Sequence, residues 1–197
     1  YLDLADARYM GQVCSRSSTN SYTQTLLAAI IENHGEKVAK DWARGVVKNF
    51  ARPPQGGDTD QLRALISGEC NISLSNTYYF ARSLRTKVKG LSVEGQSEIG
   101  WIFPSQGSEG AHMNLSGGGV AAHAPNKANA IKFLEYLTDE KAQQYFSAGN
   151  DEYPAVPGVA LSPSVAALGF FKPDDVDLSK VAKNLPTAQV IFNEVGW

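Results

Sequence analysis

In the stretch "SLSNTYYFAR" (73–82) two tyrosines, Tyr78 and Tyr79, stand side by side where a β-like run gives out. Tyrosines that build a core alternate or recur at helical spacing, so that their rings share one face. These two do neither. Where a strand turns into a helix the backbone bends, and consecutive side chains can converge on one centre. A phenol, with a pKa of about 10, is ordinarily a neutral hydrogen-bond donor. Several phenols ionise together only beside a strong Lewis acid, because a bound cation inverts the local pKa logic. A hard trivalent ion does this, and ferric iron is the common biological one. Zinc and copper favour His and Cys, and magnesium and calcium favour carboxylates and carbonyls. The plainer alternative is that Tyr78 and Tyr79 open a helix, one packed inward and one half exposed; the pair alone leaves both open.

A spacing links this pair to a third tyrosine. Tyr22 follows Cys14 by eight residues, and Tyr78 follows Cys70 by eight. Each interval spans a β-like run and the turn at its carboxyl end. Open α/β sheets bind ligands in the crevice beyond the carboxyl ends of their strands. If the two strands are neighbours, the tyrosines arrive at one crevice while the cysteines lie at one level of the sheet below. The cysteines then read either as two buried thiols or as a single bridge. They lack the C-x-x-C spacing of a zinc or redox motif.

The elements that must position these residues follow from periodicity and punctuation. Strands are expected at "GQVCSR" (11–16), "CNISLSN" (70–76), "EIGWIFP" (98–104) and around "GGVAAH" (118–123). Helices are expected at 22–34, closed by Gly35, and at 36–50, where apolar residues recur at helical spacing. A third follows the turn-rich "ARPPQGGDTD", with Thr59 as its N-cap, and another begins at the tyrosine pair. Residues 126–150 carry two helices, the second capped at Thr138. The tail forms a last helix that Pro186 starts or kinks. Strand, three helices, strand, helix is the order of an α/β fold with a mainly parallel sheet flanked by helices.

Composition excludes several classes. Eighteen Lys+Arg against twenty Asp+Glu give a net charge of -2, with no basic surplus for nucleic acid. The longest apolar run, "LLAAII" (26–31), is too short to span a bilayer. His34, His112 and His123 have no partners at metal-binding spacing and read as helix-end, loop or surface residues. Asp58 and Asp60 read as cap and first-turn residues. "SGGGVA" lacks the Lys-Ser/Thr of a phosphate loop, and no nucleophile–base pair is legible, so an enzyme is not expected. Trp42, Trp101 and Trp197 read as packing anchors.

"RSSTNSYTQTL", "PPQGGDTDQLRALISGECNISLSNTYYFARSL" and the long stretch from "WIFPSQGSEG" to "DEYPAVPG" together resemble the periplasmic ferric-iron-binding proteins of ABC importers, of the FutA-like type. The resemblance runs through nearly the whole chain in order. It implies a periplasmic-binding-protein-like type II fold, two-lobed and transferrin-like in its closing, with ferric iron held between lobes and passed to an inner-membrane permease. It implies Tyr22, Tyr78 and Tyr79 as iron ligands, and Arg16, Asn76 and Arg82 as groups that hold a carbonate-like anion or orient the ligands. Backbone N–H groups near Ser18–Tyr22 are a further place for such an anion. On this resemblance residues 1–98 form the second lobe with the tyrosine cluster, 99–160 return to the first lobe, and 161–197 pack back on the second. The N-terminal part of the first lobe is then expected from a segment outside this sequence, or from a partner chain. The alternative function is a binding protein of the same fold for a small anion or amino compound, without metal.

Overall fold

The computed structural model describes residues 1–86 and 98–197. It divides into two compact units that interleave along the chain. The first comprises Tyr1–Asn76, 98–114 and Phe171–Trp197; the second comprises Thr77–Thr86 and Leu115–Phe170.

In the first unit β1 (Val13–Cys14) and β2 (Ile72–Ser73) pair in parallel, with Val13 opposite Ile72 and Cys14 opposite Ser73. Phe50 adds a parallel bridge to Val13. Both strands are shorter than the sequence suggests. The Gln12 carbonyl accepts from the Asn71 and Ile72 amides, and the Val13 carbonyl accepts from Ala51, so the ladder is spent within a few residues. Cys14 and Cys70 are joined in a disulfide, their Cα atoms 5.9 Å apart. Of the two readings of the cysteines it is the bridge that forms, although they are not level in the ladder: Cys14 stands opposite Ser73, three residues beyond Cys70.

Three helices lie between the strands in sequence, as a parallel crossover requires: α1 (Ser21–His34), α2 (Glu36–Lys48) and α3 (Asp58–Ile66). Residues 26–31 of α1 are all buried, so this helix is covered on nearly every side. Its cover is α2, through Ala39, Trp42, Ala43 and Val46, and the last helix, α8 (Leu178–Val195), through Val181, Ala188, Ile191 and Phe192. Pro186 lies inside α8 rather than at its start; the helix is begun by Asp177, whose carboxylate accepts from the Ser179 amide at 2.8 Å. Trp197 closes this core, its ring 5.0 Å from Phe50 and 5.1 Å from Phe192. Helix α3 begins one residue before the expected cap: Gly57 is the N-cap position, and Asp60 Oδ2 accepts its amide at 2.8 Å.

The second unit holds α4 (Thr77–Arg85), α5 (Lys127–Leu137), α6 (Glu140–Asn150) and α7 (Pro163–Ala166); its buried apolar residues include Phe80, Ala81, Ala142, Val165 and Leu168, and α5 buries none of its own. Thr138 ends α5, its hydroxyl donating to the Glu135 carbonyl at 2.7 Å, and Asp139 takes the N-cap position of α6. The strands expected at 98–104 and 118–123 are irregular chain. Ile102 is 90% exposed, which the alternation of a half-buried strand would not leave. Gly117, Gly118 and Gly119 bring no side chains to pack on a sheet.

Candidate functional site

Tyr22 lies in the first turn of α1 and is half-buried. Asn20 caps that helix: its Oδ1 accepts the Tyr22 amide at 2.9 Å. One of the amides expected to be open to an anion is thus already engaged. The Arg16 guanidinium carbon stands 5.1 Å from the Tyr22 ring centroid, within cation–π range. Arg16 is placed from two directions. Trp197 Nε1 donates to its carbonyl at 3.2 Å, and its own Nη1 donates to Asp58 Oδ1 at 2.8 Å.

Asp58 is the hub of this group. Its side chain is 1% exposed, and Oδ2 accepts from both the backbone and the side-chain nitrogens of Asn76, at 2.8 and 3.0 Å. Asn76 Oδ1 in turn accepts from Asn114 Nδ2, and Asn114 Oδ1 accepts from the Thr25 hydroxyl, each at 2.8 Å. Thr25 sits one turn beyond Tyr22 on α1, so the chain of contacts returns to the helix it left. A carboxylate on the first residue of a helix also meets the positive end of the helix dipole. Arg16 and Asn76, both candidates for holding an anion, here donate to a carboxylate of the chain itself. Asp58 and Asp60 are cap and first-turn residues as expected, Asp60 doing the capping, but Asp58 also anchors Arg16 and Asn76. Nothing in "GDTDQ" distinguishes the two aspartates, because their difference is burial and a partner 42 residues away.

Tyr78 and Tyr79 occupy the first turn of α4 in the second unit. Neither is the inward-packing residue of that turn; Phe80 and Ala81 are buried, and both tyrosines stay half-buried. Their rings lie 4.1 Å apart, tilted by 31°. Arg82, one turn on, places its guanidinium carbon 5.4 Å from the Tyr78 ring centroid and donates from Nη2 to the Asn150 carbonyl at 3.3 Å. Its Nε is 3.6 Å from Asp151 Oδ2. Each tyrosine group therefore has a guanidinium against a ring, and each guanidinium has a buried aspartate behind it.

Among the described residues no group of three or more His, Cys, Asp or Glu gathers as metal-binding clusters do. The phenols are the hard anionic donors the sequence singles out. His34 ends α1 with Nε2 3.1 Å from Glu109 Oε1. His112 is less exposed than a loop histidine was expected to be: burial pushes its imidazolium down from the usual value. Trp42 is a core residue, whereas Trp101 is 45% exposed and anchors less than expected.

Residues 2–173 match the family of bacterial extracellular solute-binding proteins. The chain belongs to that family. It is 44% identical, over its full length, to iron uptake protein A1 of Synechocystis, of which it covers 54%. A Trichodesmium iron-binding protein, solved in complex with iron and citrate, superposes with a TM-score of 0.95 at 45% identity over all of this chain and 62% of that one. The apo ferric ion-binding protein A of Pasteurella haemolytica gives 0.91 at 43%, over all of this chain and 61% of that one. The chain thus spans about half the length of the curated relatives it matches. These likenesses establish the expected fold class, α/β of the type II periplasmic-binding-protein kind, for a helix-rich chain with a small parallel sheet.

Proposed function

We propose that this chain is part of the solute-binding component of an iron importer: it takes ferric ion as cargo in the periplasm and yields it to an inner-membrane ABC permease. The observation that carries the reading is 44% identity along the entire chain to a protein named for iron uptake. The fold neighbour holding iron and citrate supports it. Tyr22, Tyr78 and Tyr79 are the proposed ligands. Phenolate oxygen suits a hard ferric ion, and Arg16 and Arg82 stand where guanidinium groups can offset the charge and orientation of the oxygens. An added anion, carbonate or a carboxylate such as citrate, would share Arg16 and Asn76 with Asp58. The proposed role involves no chemical turnover, so the chain is not an enzyme on this reading. Release follows reduction or protonation, because ferrous iron holds phenolates less tightly and protons compete for them.

Titration with ferric citrate should produce a visible phenolate-to-iron charge-transfer band, and Tyr78→Phe/Tyr79→Phe should abolish most of it. A featureless wild-type spectrum, or a band unchanged in the double variant, would remove the reading. The metal-free alternative has no observation in its favour.

A further inference from the structure

Asp151 follows the last residue of α6 and holds left-handed backbone, φ +62°, a conformation that Asn and Asp tolerate better than most residues. Its side chain is fully buried. Oδ1 accepts from Arg85 Nε at 2.9 Å and from the Ser164 hydroxyl at 2.7 Å. Oδ2 accepts from Arg85 Nη2 at 2.8 Å and lies 3.6 Å from Arg82 Nε. The C-terminal end of a helix repels negative charge, so a buried carboxylate there stands only with cations to hold it. Both cations come from α4, three residues apart and therefore on one face. That helix carries Tyr78 and Tyr79 in its first turn. Arg85 makes a two-pronged fork on the carboxylate, a geometry that fixes direction as well as distance. Arg82, beside it, is the arginine whose guanidinium rests against the Tyr78 ring.

We propose that Asp151 is a positioning residue for the Tyr78–Tyr79 pair: it fixes Arg85 and Arg82, and through them the turn of α4 that aims the two phenols. This rests on the reading of those phenols as ferric ligands. Asp151 sets where the oxygens point, and the energy of the charge-transfer band depends on that.

Asp151→Asn tests it: Asn accepts the left-handed backbone and its Oδ1 can still accept from the Ser164 hydroxyl, but it carries no charge and its NH2 cannot accept the second prong of the Arg85 fork. In competition with citrate, ferric affinity should fall about ten- to hundredfold, the usual effect of removing a group that orients a metal ligand. The band of the iron-loaded variant should shift in wavelength, which a purely structural role would not cause. Arg82→Gln should shift it in the same direction without altering the buried carboxylate. The double variant should be no worse than the more affected single one, because the two act as a unit. If Asp151→Asn does not fold, judged by circular dichroism, Arg82→Gln and Arg85→Gln carry the test, and an unmoved band in both overturns the proposal. An unshifted band and unchanged affinity in a folded Asp151→Asn overturn it while leaving iron binding intact. A wild type with no band removes the iron reading instead, and this proposal with it.

Discussion

The two units solve one problem in opposite electrostatic settings. Each sets a guanidinium against a tyrosine ring and anchors it on a buried aspartate. Asp58 opens a helix, so the dipole, the Asn76 amide and a single arginine all favour its charge. Asp151 ends a helix, where the dipole opposes its charge, and it draws on two arginines and a serine hydroxyl. The first arrangement includes a backbone amide and an arginine that is 18% exposed; the second depends on side chains that are 35% and 40% exposed. The first unit also has a disulfide, whereas among the described residues the second has none. The first unit should therefore be the stiffer frame, and the second the one whose tyrosines move when its charges are disturbed.

Breaking the staple should have the largest effect. Cys14 and Cys70 close a loop of 56 residues in sequence separation, for which the chain-entropy account gives about 4 kcal/mol. Cys14→Ser/Cys70→Ser should lower the urea midpoint of the first unit accordingly. All three tryptophans, Trp42, Trp101 and Trp197, lie in that unit, so fluorescence reports on it alone. Hydrogen exchange of α4 and α6 should be unchanged; equal loosening of both units would break the comparison.

Truncating the two aspartates should come next, and unequally. Asp58→Ala leaves Arg16, 18% exposed, without its carboxylate and the Asn76 amide without its acceptor. A cost of about 3 kcal/mol is expected from losing one member of a largely buried pair. Asp151→Ala should cost less, because water can take over Arg82 and Arg85. Its effect should appear in hydrogen exchange of α4 and α6 rather than in fluorescence. The reverse order would mean that the helix dipole is a minor influence here.

Much of this was readable in advance, and what was not has a common cause. The parallel strand pair, the helices flanking it, the tyrosine pair on a helix start and the convergence of Cys14 with Cys70 follow from local pattern and spacing. The strands around Trp101 and Gly118 were misread because β-like composition says nothing of a neighbouring ladder. Asp58 and Asp151 were missed because a buried carboxylate is identified by its distant partners: Arg16 is 42 residues from the first, and Arg85 is 66 from the second. Sequence singled out the tyrosines, Arg16 and Arg82, but not the carboxylates that Arg16, Arg82 and Arg85 meet.

Acid should separate the two units by a smaller effect. Burial pushes the Asp151 carboxyl upward, but the Arg85 fork and the Ser164 hydroxyl more than offset it, leaving it below the usual carboxylate range. A carboxyl lowered on folding adds stability above its unfolded value, about 3.9. That contribution is lost as the pH falls through the folded value. Glu109 is the first unit's counterpart: burial acts upward there too, and hydrogen bonds from Ser108, its own backbone and His34 hold it down to about 2. Below about pH 4 both units should therefore weaken, the first unit's Glu109 contribution being lost as the pH falls towards about 2. Asp151→Asn should flatten the acid limb of α4 and α6 in hydrogen exchange, and Glu109→Gln that of the tryptophan signal. If either substitution flattened both limbs, the carboxylates would not be acting locally, and the contrast between the two arginine anchors would lose its basis.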